Sequence, residues 1–217
     1  MKKILDFLKE LKYNNHKEWM DAHREQYHEA KAEFEEFVNM LIMEIQQFDE
    51  SIVGVTPKNC IFRINRDIRF SKNKSPYKSN MAAFISEEGK KTFKPGYYIH
   101  LQPEDESMIA GGIYAPPGDI LKKIRQEVDY NSGELKEIVS QKDFRNFFGE
   151  IQGEKLKTAP KGYSTDHPNI EFLKLKSYIV YHKFRDQDVM SDNFKNEAIK
   201  GFKILKPMND YLGVAIS

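Results

Sequence analysis

Only one cysteine, Cys60, occurs in the 217 residues, which excludes an intrachain disulfide and makes a reducing, cytoplasmic compartment the expectation. Long apolar runs are missing too. Nothing approaches the ~18 consecutive apolar residues of a membrane-spanning helix, so no membrane association is expected. The opening MKKILDFLKELK begins like a secretion signal, but Asp6, Lys9 and Glu10 break its apolar segment. There is no excess of one charge: 34 Lys and Arg stand against 33 Asp and Glu, net +1, so global charge makes no case for a nucleic-acid partner. HExxH, GxGxxG and GK[ST] patterns are all lacking, and no set of metal-ligand spacing is legible. No cofactor and no metal are therefore expected. Repeats, low-complexity tracts and obvious linkers are likewise missing.

What the sequence does have is a local concentration of positive charge. Residues 58–80 hold Lys58, Arg63, Arg66, Arg69, Lys72, Lys74 and Lys78 against a single acid, Asp67, a net of +6. The remainder, with 27 cations and 32 acids, is net −5. Any argument for an anionic partner rests on this patch.

Hydrophobic period places the patch in a fold. Ile4, Leu5, Leu8 and Leu11 share one side of a helix over 3–12. After YNNHKE, with Asn15 as N-cap and Glu18 in the capping-box position, a long helix is expected to about residue 48. Trp19, His23, Tyr27, Ala30, Phe34, Phe37, Leu41, Ile45 and Phe48 form its buried stripe, Glu29, Glu33, Glu35, Glu36 and Glu44 its outer face, and Met40 and Met43 read as core filler. From residue 60 the period changes to two, which predicts strands near 60–70, 80–87, 95–102 and 107–115 with short turns at EEGKK and QPEDES, an antiparallel meander. Helices restart at APPGDILKKIRQEV and after NSGE. A short helical turn, a strand near 177–185 and a C-terminal helix from about Ser191 follow, with Pro207 expected to kink or interrupt that helix. The economical reading is α+β, an antiparallel meander sheet backed by helices with a long N-terminal helical segment. It makes a single domain over 1–217: helical 1–50, sheet core 58–115, helices and returning strand 117–217.

On a strand over 61–70, alternation puts Phe62, Ile64, Ile68 and Phe70 on one face, with Arg66 among them, and Arg63, Asn65, Asp67 and Arg69 on the other. A groove floored by Arg63, Asn65, Asp67 and His100 is one outcome; a solvated, internally neutralised face is the other. Arg63 and Arg69 would lie roughly 20 Å apart on a straight strand, so they cannot grip one phosphate together. Arg66, on the apolar face, calls for a glutamate of the long helix or for a bulge that turns it outward, and the internal ion pair is the expectation. In SKNKSPYK, Lys72, Lys74, Lys78 and Tyr77 could meet a phosphate, or the loop is simply solvated. Gly111 and Gly112 read as close strand packing rather than a phosphate loop. Asp166 reads as an N-cap, and His167 lacks a nucleophile to serve.

The run FRINRDIRFSKNKSPYKSN resembles the signature of a bacterial and fungal family of conserved hypothetical proteins, domain of unknown function two-four-six-one. FLKELKYNNHKEWMDAHREQY, AGGIYAPPGDILKKIRQE and LKTAPKGYSTDHPNIEFLKLKSY are similar to it as well, so the resemblance covers nearly the whole chain. It implies one domain of about this length and no reaction, cofactor or catalytic residue. It marks Arg63, Arg66, Asp67, Arg69, Lys74, Pro76, Tyr77 and Lys78 as motif positions. His16 and Met20 depart from it, where an acid and an aromatic are more usual.

The functional expectation is binding, with turnover left open, of an anionic or phosphorylated small molecule by Arg63, Asn65, Arg66, Asp67, Arg69, Lys72, Lys74, Tyr77, Lys78 and His100. The alternatives are a nucleic-acid-contacting module that uses the same patch, or a protein-interaction domain. No catalytic set is legible.

Overall fold

The computed structural model describes all 217 residues. In chain order its helices and strands are α1 (Lys2–Tyr13), α2 (Lys17–Ala22), α3 (Arg24–Ile45), α4 (Pro57–Cys60), β1 (Met81–Ile85), β2 (Gly96–Leu101), β3 (Ser107–Ile113), α5 (Gly118–Tyr130), α6 (Ser132–Ser140), α7 (Lys142–Phe148), α8 (Ile170–Leu173), β4 (Tyr178–Phe184), α9 (Asp186–Val189) and α10 (Phe194–Ile216). The four strands form one antiparallel sheet in the order β1-β2-β3-β4, so the chain is α+β. The first three strands are a meander. β4 joins beside β3 after a helical excursion. No helix is long and apolar enough to cross a membrane.

By contacts the chain divides into two compact units, and β2, β3, β4 and α10 contribute residues to both. The first comprises Met1–Lys90, Tyr98–Ile109 and Lys183–Ile199. Its core is built on α1 and α3, whose buried residues recur at helical spacing: Ile4, Leu8 and Leu11 on one, Phe34, Phe37, Leu41 and Ile45 on the other. Phe194 stacks on Phe37 at 5.5 Å and meets Phe184 edge-on at 5.1 Å. The second unit comprises Lys91–Tyr97, Ala110–His182 and Lys200–Ser217. Here Tyr97 packs edge-on against Phe202 at 5.2 Å.

Four local expectations need correction. The helix expected from Asn15 to residue 48 is broken at His23, whose ring folds back to stack on Trp19 at 4.0 Å while Nδ1–H and the backbone N–H both donate to the Trp19 carbonyl. The N-cap is His16, which accepts from the Trp19 amide at 3.3 Å, because the side chain of Asn15 is engaged elsewhere. Met40 and Met43 are 38% and 58% exposed, not core filler. α10 runs unbroken through Pro207; the lost backbone bond costs about 3 kcal/mol, and burial of Phe202, Leu205, Met208, Tyr211 and Leu212 offsets it.

Candidate functional site

The expected strand over 60–70 is not a strand. Residues 61–80 form an irregular two-sided arm in the first unit. Ile61 bridges Ala83 of β1, and Asn65 bridges Tyr77, both antiparallel. From 61 to 65 is four steps, whereas from 77 to 83 is six, so the second side carries two residues too many. That register break stops a continuous ladder. Only isolated bonds remain: Phe62 N–H to Ala82 O (2.9 Å), Lys78 N–H to Ile64 O (2.8 Å) and Arg66 N–H to Pro76 O (2.8 Å). The distal loop, 67–75, is then closed by its own polar groups. Arg66 donates to the Ser75 carbonyl at 2.9 Å and to Ser71 Oγ at 3.3 Å. Lys74 Nζ donates to the Ile68 carbonyl at 3.0 Å, and Asn73 Oδ1 accepts from the Ser75 amide at 2.9 Å.

The motif residues therefore divide by task. Arg66 meets no glutamate; it is half-buried and staples the loop, correcting the expected ion pair. Asp67 binds the Arg69 guanidinium at two points, 3.0 Å to Nε and 2.7 Å to Nη2, and accepts from the Arg69 amide at 3.2 Å. These bonds, the side-chain ones foremost, hold the Asp67 carboxyl below the usual carboxylate range. The buried Tyr77 is fixed through its backbone: Asn15 Oδ1 accepts its N–H at 3.0 Å, and Asn15 Nδ2 donates to its carbonyl at 3.1 Å. Sequence reasoning gives Asn15 to a helix N-cap and not to this anchor, because its partner lies 62 residues away. Phe70, assigned to the apolar face, is 95% exposed beneath the Arg69 guanidinium.

Three candidate cations make no side-chain hydrogen bond or ion pair at all. Arg63 and Lys72 are exposed and make no hydrogen bond or ion pair. Lys78 is half-buried, with Nζ 5.4 Å from the centre of the Phe62 ring. Burial, and then the Arg63 charge, push its ammonium toward losing a proton. Phe62 in turn lies 6.5 Å from Tyr98. The Tyr98 hydroxyl donates to His100 Nδ1 at 3.1 Å, and His100 Nε2–H donates to the Glu106 carbonyl at 2.7 Å. Burial lowers the basicity of His100 and pushes the Tyr98 phenol up to about 12. Both ring nitrogens of His100 are therefore hydrogen-bonded within the protein.

The family model for conserved hypothetical proteins, DUF2461, matches residues 3–211. The chain belongs to DUF2461. Comparison with curated proteins gave no match, and comparison with solved structures gave none.

The remaining motifs of this DUF2461 protein have structural tasks. A Cβ on Gly111 would meet Leu205 Cδ2 at 2.1 Å, and one on Gly112, with φ +97°, would meet the Tyr178 carbonyl at 2.1 Å. This is close strand packing, not a phosphate loop. His167 donates from Nε2 to Asp129 at 2.9 Å and accepts the Asn169 amide at Nδ1, so it has no free nitrogen for base catalysis. Asp166 takes a bond from Ser164 instead of capping a helix. Burial pushes the Cys60 thiol up to about 11, which makes it a poor nucleophile. No group of three or more His, Cys, Asp or Glu side chains is placed to hold a metal ion.

Proposed function

We propose that the arm binds an anionic small molecule, phosphorylated or carboxylated, between Arg63 and Lys78, with Asn65 and Lys72 at its margin. One observation carries this reading: Arg63 lies near enough to act on both Lys78 and Asp67, yet neither Arg63 nor Lys78 forms an ion pair, while Asp67 gives both carboxylate oxygens to Arg69. Like charges without ion-pair partners repel, and an anion placed between them would remove that repulsion. Arg63 brings a planar fork suited to bidentate contact with an oxyanion. Lys78 brings a partly desolvated charge, for which the Coulomb term is less screened. Arg66, Asp67, Arg69, Lys74 and Tyr77 would then serve by holding the arm in shape. The free, buried Cys60 supports a cytoplasmic location.

The test is a thermal-shift screen over phosphate, sulfate, sugar phosphates, nucleotides and carboxylates. An anion that binds only the folded state stabilises it by RT ln(1 + [L]/Kd), ~2.7 kcal/mol at about 100 times Kd. The double variant Arg63→Gln, Lys78→Gln is expected to fold and to lose the shift. If no anion moves the wild-type melt, the cations are structural.

A second reading has its own support in Phe70. Its exposure beside Arg69 and Lys72 suits stacking against a base of single-stranded nucleic acid.

A further inference from the structure

We propose that the turn between α1 and α2 is a proton-sensitive latch on the arm, with His16 as the sensing group. As regulation of the anion site it rests on the reading above; as a property of the turn it stands on geometry alone.

His16 is the N-cap of α2, and one atom of its ring meets two partners with opposite needs. Nδ1 accepts the Trp19 N–H at 3.3 Å, which requires a bare lone pair. The same Nδ1 lies 3.1 Å from Glu18 Oε2. A carboxylate oxygen only accepts, so a bond there requires a proton on that nitrogen. Neutral His16, with its proton on Nε2, caps the helix. Protonated His16 pairs with Glu18 and abandons the Trp19 amide. No carbonyl of α2 takes over, because the first amides of a helix have no acceptor within it. Histidine is the side chain that makes such a change between about pH 5 and about pH 8.

The surroundings leave Glu18 as the carboxylate that meets the imidazole. On α2, Lys17 is held by Asp21, which also takes Arg24 from the start of α3. The arm brings Tyr77, whose phenol acts on Lys17. α1 brings the Phe7 ring to one side of Trp19, and the His23 ring stacks on Trp19.

The cap matters to the arm through its neighbours. Asn15, directly before His16, holds both backbone groups of Tyr77, and Lys78 directly follows Tyr77. The capped His16 is extended, with φ −143° and ψ 164°, and this conformation sets where the chain places Asn15 before α2 begins. Losing the cap in mild acid frees the chain at Asn15. The arm is then held less firmly beside the cations that take the anion.

Imidazole nitrogen NMR of the whole chain, followed from about pH 8 to about pH 5, reports the proton on His16 Nδ1 directly. Its arrival is expected to coincide with a shift of the Trp19 amide and with about a fivefold fall in the exchange protection of the Tyr77 amide, the equilibrium equivalent of one lost N-cap. His16→Ser keeps a cap that does not titrate, so its Tyr77 protection should hold across the range. His100 is present in both proteins, and the comparison cancels it. Glu18→Gln should delay the His16 proton to lower pH, because the carboxylate that favours it is gone. A His16 Nδ1 that already carries its proton at the alkaline end, or Tyr77 protection that falls equally in His16→Ser, overturns the latch. Sulfate, doubly charged throughout, separates the two readings. Its thermal shift should shrink in acid for wild type relative to His16→Ser, and equal shifts in the two proteins overturn the regulation. A sulfate shift missing from both at every pH rejects the anion site instead, while the exchange data still decide the latch.

Discussion

The side-chain amide of Asn15 pairs with both backbone groups of Tyr77, accepting its N–H at 3.0 Å and donating to its carbonyl at 3.1 Å. A side chain thus stands in for a missing strand neighbour, and the junction between α1 and α2 becomes the anchor of the arm. Replacing Asn15 by Ala leaves two partly buried backbone groups without partners, at a cost of about 1–3 kcal/mol. Denaturant melts should show that loss, with faster amide exchange at Tyr77. Asn15→Asp keeps the acceptor but loses the donor, so it should fall between wild type and Ala. Unchanged stability in Asn15→Ala would mean the arm is anchored by the Tyr77 ring alone.

Arg66 should matter more to stability than Arg69 or Lys72. Its guanidinium closes the loop through the Ser75 carbonyl and Ser71 Oγ, and Arg66→Ala is expected to cost about 1–3 kcal/mol. Arg69 binds Asp67 in full view of solvent and Lys72 binds nothing, so their alanine variants should melt near wild type. Equal urea midpoints for all three would reject the staple.

His100 predicts a pH dependence whose sign is set by burial. Its folded-state basicity lies below the ordinary value of 6.5. The folded protein therefore binds fewer protons there than the unfolded chain does, and stability falls as pH drops below 6.5 toward the folded-state value. Above 6.5 its contribution is complete. Melting midpoints taken from about pH 8 to about pH 5 should decline more steeply for wild type than for His100→Gln. Parallel curves would show that other groups carry the acid sensitivity.

Nucleic-acid binding should be weak and salt-labile. Labelled single-stranded RNA titrated at about 50 and about 200 mM salt should lose most of its affinity at the higher concentration, as expected when phosphate contacts dominate. Phe70→Ala tests the stacking contribution. Tight binding that survives the higher salt and falls in Phe70→Ala would put the nucleic-acid reading ahead of the small-anion one.

Periodicity made much of the fold legible. The stripe of Phe34, Phe37, Leu41 and Ile45 has only one helical solution, and the four strands of the sheet lie within two residues of where alternation places them. The same signal misleads at the arm: Phe62, Ile64, Ile68 and Phe70 alternate like a strand, yet only Ile64 is buried. What decides the arm is non-local, namely a register break against β1 and an amide from Asn15, and neither leaves a periodic trace. The break at His23 was hidden because the apolar stripe continues straight through it. The candidate site residues are legible as a cluster of charge. Which of them stay uncommitted is not, because Arg66 spends its donors on a carbonyl and a hydroxyl that no charge count can see.

The two surplus residues on the second side of the arm also bear on solubility. β1 is one of the two edge strands, and its free side meets the arm only around Ala82 and Ala83. An arm in perfect register would be a fifth strand, presenting an open row of backbone donors and acceptors to any second molecule. The kinked arm instead shields part of β1 and is itself too irregular, and too rich in Lys and Arg, to act as a template. Deleting Ser79 and Asn80 should straighten the arm and make the protein prone to self-association through a growing sheet.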